Sequence, residues 1–184
     1  MGLSAHAAEL LARLNDGLPP VETLPPVDAR QRMVDKRLRA APAEQVAVGA
    51  VEHVLVPTRS HEARVRLYHP AGNEPAPVVV FFHGGGWVLC DLDSHDAICR
   101  RLCAGAGCVV ASVEYRLAPE DPFPAAVHDA IDVTTWIAAH SEVVGGRAGA
   151  LAVAGDSAGG NLAAVVTQLA RARGGPAIAF QALV

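Results

Sequence analysis

The chain has 184 residues, enough for one sizeable core, and 51% of them are hydrophobic. Fifteen Lys and Arg stand against nineteen Asp and Glu, a net charge of -4 with no basic cluster, so charge argues against nucleic acid and anionic membrane as partners. The four cysteines, Cys90, Cys99, Cys103 and Cys108, share one segment without a C-x-x-C pair, which argues against a disulfide framework or a zinc site and for small buried residues in a reducing compartment.

Met1–Asn15 contains Glu9 and Arg13 and has no apolar core of a signal peptide, and no apolar run approaches transmembrane length. A soluble, cytoplasmic protein is expected. Leu3, Ala7, Leu10, Leu11 and Leu14 recur at helical spacing, which predicts an amphipathic helix over Ser4–Leu14, stopped by Asn15-Asp16-Gly17. Val27–Arg39 is charged with sparse apolar positions and predicts a second, exposed helix. Residues 1–44 are read as a helical segment ahead of the core, either a solubilising arm or a flap over a site.

Val51–Val56 and Ala63–Tyr68 predict two strands, forming an antiparallel edge; Arg64 and Arg66 alternate with Val65 and Leu67 at the strand period. A turn cluster, His69–Asn73, follows. Val78–Phe82 is a short apolar strand running into His83-Gly84-Gly85-Gly86-Trp87. Consecutive glycines let backbone N–H groups converge on one point, the arrangement a tetrahedral oxyanion requires. His83 beside them is read as holding the loop by hydrogen bonds.

Asp93 or Ser94 is expected to cap a helix over Asp96–Ala104, ended by Gly105-Ala106-Gly107. Cys108–Val113 predicts a strand, and Pro119, Pro122 and Pro124 make the next connector stiff. Ala125–His140 predicts a helix with Val127, Ala130, Ile131, Thr134 and Ile137 on one face; His128 and His140 on it are read as surface residues. Gly145-Gly146-Arg147 reads as a turn, Ala150–Ala154 as a strand, Asn161–Arg173 as a helix and Ala177–Val184 as a last apolar strand. Strands alternating with helices from Val78 onward imply an α/β fold with a mostly parallel sheet.

Between the strand at Ala150 and the helix at Asn161 lies Gly155-Asp156-Ser157-Ala158-Gly159-Gly160. In that setting G-x-S-x-G lifts a serine hydroxyl clear of the backbone at the head of a helix, with the N–H of Ala158 facing an oxyanion. The same stretch also suits a glycine-rich turn that binds nothing, or one that cradles phosphate.

Together the three motifs, His83–Trp87, Tyr115–Glu120 with Phe123-Pro124-Ala125-Ala126, and Gly155–Gly160 followed by Asn161-Leu162, resemble the hormone-sensitive-lipase-like branch of the α/β-hydrolases over about residues 45 to 184. The resemblance implies hydrolysis of small-molecule carboxylic esters without cofactor or metal. It assigns Ser157 as nucleophile, Gly85, Gly86 and Ala158 as oxyanion-hole donors and His83 as the histidine that orders the loop. The helices within residues 1–44 resemble the family's cap.

A serine hydrolase of this fold places its acid and then its histidine after the serine. Here Ala158–Val184 contains no Asp, Glu or His, and all eight histidines precede Ser157. The sequence therefore reads as an α/β-hydrolase fold incomplete at the C-terminus, with very low activity of its own. The alternatives are a non-catalytic small-molecule-binding protein on the same scaffold, as in plant gibberellin receptors, or an inactive gene fragment. The apolar edge Ala177–Val184 is a candidate for pairing between copies.

Overall fold

A computed structural model describes residues 2–15, 19–39, 45–72 and 74–184. The chain divides into two compact units, Met1–Ala40 and Ala41–Val184. In the first, helix α1 spans Ala5–Asn15 and α2 spans Pro26–Arg39, with one 3-10 turn at Val21–Thr23 between them. Ser4 Oγ accepts the N–H of Ala7 at the head of α1, and Thr23 Oγ1 donates to the Pro20 carbonyl in the turn. Both helices form where the pattern predicts them, yet Leu3, Leu10 and Leu11 of the expected apolar stripe are exposed, as are Val27 and Leu38 in the second. Asp16 and Gly17 of the expected helix stop lie outside the described residues, as does the expected boundary at residue 44, and so does Asn73 of the later turn cluster.

The second unit is built on a six-stranded sheet: β1 Ala50–Pro57, β2 Glu62–His69, β3 Ala76–Phe82, β4 Val109–Val113, β5 Gly146–Gly155 and β6 Phe180–Leu183. Their order across the sheet is β1-β2-β4-β3-β5-β6. β1 pairs antiparallel with β2, and β2 antiparallel with β4, so the expected antiparallel edge is present. The remaining neighbours are parallel. Helices α3 (Asp96–Ala106), α4 (Ala125–Ala139) and α5 (Ala158–Arg173) supply the crossovers.

Alternation along each strand sorts side chains onto two faces. Val78, Val80 and Phe82 of β3 point into one cluster with Val109, Ala111, Val113 and Val153, closed by Ala130, Ile131 and Ile137 of α4 and Leu162, Ala163 and Val166 of α5. Phe81 of β3 points into the other, with Tyr68, Val110 and Ala154, closed by Cys99 and Cys103 of α3. Each fully buried Val, Leu or Phe contributes about 1.5–3 kcal/mol relative to exposure, so this sandwich of helix, sheet and helix holds the unit together.

Several expected boundaries differ, each for a local reason. Gly105 does not end α3: the helix continues to Ala106, and Gly107 (φ 59°, ψ 41°) closes it in the left-handed region, its N–H donating to the Cys103 carbonyl. Neither Asp93 nor Ser94 caps it; the capping position falls on His95 without a side-chain bond, because Ser94 is engaged with Asp91. Gly146 belongs to β5 rather than to a turn, pairing with Ala76, and a register shift separates that pair from the Val78–Leu151 pair. Helix α5 begins at Ala158, so Gly159 and Gly160 are helical. β6 covers only Phe180–Leu183 of the expected Ala177–Val184 strand, since it pairs with β5 over Ala152–Gly155 alone.

Candidate active site

Phe82 at the end of β3 is the direct parallel partner of Gly155 at the end of β5. The two chains therefore leave the sheet side by side at the same edge, one as the glycine tract His83–Gly86, the other as Asp156-Ser157-Ala158. Register brings together two motifs more than 70 positions apart in sequence.

The β5-to-α5 turn is tight. A Cβ on Gly155 would lie 2.3 Å from the Gly159 carbonyl carbon, and one on Gly159 only 1.9 Å from the Phe82 carbonyl oxygen. Backbone packs on backbone there, so no side chain fits. Ser157 between them takes φ 51°, ψ −117°, a region that non-glycine residues rarely occupy, at a cost of about 1–3 kcal/mol. Its backbone is held on both sides: the N–H donates to the Val184 carbonyl at 2.8 Å, and the carbonyl accepts from the Asn161 N–H at 3.0 Å. The residue itself is exposed.

The glycine tract is fixed to this turn by Asp156. The Gly84 N–H donates to Asp156 Oδ1 at 2.9 Å, and a Cβ on Gly84 would fall 2.3 Å from Oδ2. Gly85 (φ 120°) and Gly86 (φ 62°) then turn the chain back, the Gly85 carbonyl accepting from the N–H groups of Val88 and Leu89. Among the described residues, no acceptor falls on the N–H groups of Gly85, Gly86 or Ala158. Trp87, 40% exposed, is anchored through its carbonyl to the N–H of Ala118 at 2.8 Å.

His83 lies beneath the tract. Only 1% of it is exposed; its Nδ1 is 2.7 Å from the Gly84 carbonyl oxygen, and its ring stacks on Tyr115 at 4.3 Å between centroids. The Tyr115 hydroxyl donates to the His83 carbonyl at 2.6 Å. Burial disfavours the imidazolium and holds the His83 pKa below its usual value, despite the bond to Gly84. Burial likewise pushes the Tyr115 phenol well above its ordinary range.

Among the described residues, no imidazole is hydrogen-bonded to Ser157. His128 is half-buried on α4, and His140 caps the C-terminus of that helix, stacked on Trp136 at 4.4 Å. His140 is exposed, as expected of a surface residue, whereas His128 is partly covered. Sequence reasoning gives no individual role to Asp156, Tyr115 or His95. Asp156 and Tyr115 stand within the recognised motifs, but only their contacts with Gly84 and His83 show what their side chains do; His95 carries no periodic signal.

Fold and site define a protein of the α/β-hydrolase fold, with a serine on the strand-to-helix turn beside a glycine-rich loop. Residues 79–184 match the family model described as alpha/beta hydrolase fold, and the chain belongs to that family. It is 54% identical over 121 residues to Esterase LipI of Mycobacterium tuberculosis, covering 64% of this chain and 38% of that protein. It is 47% identical over 150 residues to Carboxylic ester hydrolase LipN of the same organism, covering 79% and 40%. Among solved structures, a thermostable esterase from Pseudomonas putida superposes with a TM-score of 0.89 at 35% identity, over 98% of this chain and 56% of that one. A hyperthermophilic esterase from Pyrobaculum calidifontis gives 0.85 at 40% identity, over 98% and 58%. The chain thus spans about two fifths of the length of these curated relatives.

Proposed function

We propose that this chain carries the nucleophile and oxyanion hole of a carboxylic ester hydrolase. One observation carries the reading: an exposed serine in a strained conformation stands beside a loop whose N–H groups at Gly85 and Gly86, with that of Ala158, have no acceptor among the described residues. In the reaction Ser157 Oγ attacks the ester carbonyl carbon and the carbonyl π electrons move to oxygen. The three N–H groups stabilise that oxyanion more than the ground-state carbonyl. Collapse expels the alcohol and leaves an acyl ester on Ser157, which water then hydrolyses.

Each half of that cycle needs a base that takes the proton of the attacking O–H, that of serine and then that of water, and returns it to the leaving oxygen, of the alcohol and then of serine, with a carboxylate to orient that base. No described imidazole is bonded to Ser157, so we assign both groups to residues outside these 184. Alone, such a chain retains what binding and the oxyanion donors supply, about 10³–10⁴-fold over water in serine proteases, against complete-enzyme enhancements reaching about 10¹⁷. The named relatives are esterases, which supports a small-molecule carboxylic ester as substrate.

A fluorophosphonate probe tests the reading. It is expected to label Ser157 in a longer protein carrying this sequence, to label the 184-residue chain weakly, and to label neither after Ser157→Ala. Rapid hydrolysis of an aryl acetate by the 184-residue chain, abolished by Ser157→Ala, would overturn the placement of the base elsewhere. No labelling of the longer protein, with esters bound but not cleaved, would replace the hydrolase with a binding protein.

A further inference from the structure

Asp156 Oδ1 has two neighbours. One is the N–H of Gly84; the other is Nε2 of His95, at 3.1 Å. His95 sits in the turn before α3, 7% exposed, with its ring centroid 5.6 Å from that of His83 and 6.1 Å from that of Phe81. Its other nitrogen, Nδ1, lies 2.9 Å from Ser94 Oγ, which accepts the Asp91 N–H and lies 2.7 Å from the Asp91 carbonyl; with the single Ser94 proton turned to Nδ1, the imidazole proton stands on Nε2, facing Asp156. The next residue, Asp96, is tied to the sheet through the Tyr68 hydroxyl at 2.9 Å and to α3 through Arg100 at 2.7 Å. His95 is thus gripped from its own turn and from the sheet, and presents one nitrogen to Asp156.

Asp156 needs such a partner. Its side chain is 32% exposed, and a carboxylate at a surface turn can swing to water unless something fixes it. If it swings, Gly84 loses its acceptor. The tract beyond consists of glycines with φ 120° and 62°, which have little intrinsic reason to keep that shape.

We infer that His95 is a positioning residue: by holding the Asp156 carboxylate against the Gly84 N–H, it keeps the glycine tract in the conformation that aims the Gly85 and Gly86 amides beside Ser157. His95 touches neither serine nor substrate and acts through Asp156. As a catalytic statement this rests on the ester-hydrolase reading; as a statement about the loop it does not.

Backbone amide exchange in the ¹⁵N-labelled 184-residue chain reads the clamp without turnover. His95→Leu is expected to speed exchange at the Gly84 amide about tenfold or more, with the strand amides of Val80 and Ala111 unchanged. His95→Gln, whose side-chain amide can reach the same carboxylate, is expected to stay within about threefold of wild type. Asp156→Ala should reproduce the Gly84 effect, and adding His95→Leu to it should bring no further change. If His95→Leu does not fold, His95→Gln against the shorter His95→Asn makes the same comparison. Equal Gly84 exchange in wild type and His95→Leu, or in the two amide variants, would overturn the proposal. In a longer, active protein the same His95→Leu change should lower kcat about tenfold at unchanged KM, because the oxyanion exists only after attack; a rise in KM alone would count against it. Absence of Ser157 labelling in that wild-type protein would sink the hydrolase reading while leaving the exchange result to decide the clamp.

Discussion

Ser157 keeps its unusual dihedral angles because its neighbours leave no alternative path. Gly155 and Gly159 let β5 and α5 meet backbone to backbone, and Gly159 lies against the Phe82 carbonyl at a separation no Cβ could share. His83 imposes a second constraint at this scale, through protons. Burial lowers its pKa, whereas the unfolded side chain titrates near 6.5. Between about pH 6.5 and the depressed folded value, the unfolded chain binds more protons than the native one, so stability falls as pH falls through that window and levels off beneath it. The melting temperature is therefore expected to drop more steeply between pH 7.5 and 5.5 in wild type than in His83→Asn. Parallel curves by circular dichroism would remove His83 from the account.

Between elements, ionic contacts hold what apolar packing cannot. The connector between β4 and α4 is fastened by Arg116, which places Nε and Nη2 on Asp129 of α4 at 3.0 and 2.8 Å while its backbone N–H also donates to that carboxylate. Asp129 is fully buried, and His61 Nε2 adds a contact at 3.7 Å. This connector carries Tyr115, which supports His83, so the pair bears on the site through two steps. Arg116→Ala would leave the buried Asp129 carboxylate with the backbone N–H at position 116 and His61. A loss of about 3 kcal/mol, the lower part of the range for breaking a buried pair, is expected from urea unfolding. At α3, burial alone would raise the Asp96 pKa, but hydrogen bonds from Arg100 and Tyr68 outweigh it and hold the carboxyl below its usual range. The contribution of Asp96 to stability is present above about pH 3.8 and is lost on acidification through the lower folded value.

Across the whole second unit, the two faces of the sheet are chemically unlike. The face toward α4 and α5 is almost wholly aliphatic, whereas the face toward α3 carries free thiols at Cys99, Cys103 and Cys108. Burial pushes the Cys99 thiol up to about 12 and that of Cys103 to about 11. At neutral pH neither has an appreciable thiolate fraction, and neither is reached by reagent in the native state. Iodoacetamide is expected to modify Cys99 and Cys103 only under denaturing conditions, as read by mass spectrometry. Modification of either in the native protein, at the rate of an exposed thiol, would show that α3 does not stay closed on the sheet. No helix among the described residues is long and apolar enough to cross a membrane.

How much of this was legible beforehand follows from the range of the forces involved. Apolar runs such as Val78–Phe82 and the period of Ala125–His140 announce strands and helices because each residue's preference for a face depends on its neighbours in sequence. The glycines around Ser157 are legible for the same reason, since a sharp turn is a local demand on backbone bulk. Helix ends are legible only to within a residue or two: the cluster Gly105-Ala106-Gly107 reads as the stop and Gly107 does close α3, but the helix runs through Gly105 because packing against the sheet outweighs the roughly 1 kcal/mol cost of a helical glycine. The long-range steps belong to the fold alone. Only parallel register sets Phe82 beside Gly155, and only that meeting shows Asp156 to be the acceptor for Gly84, with His95 behind it. A hydrogen bond between residues 72 positions apart leaves no pattern in either stretch, because its geometry exists only after the sheet has closed.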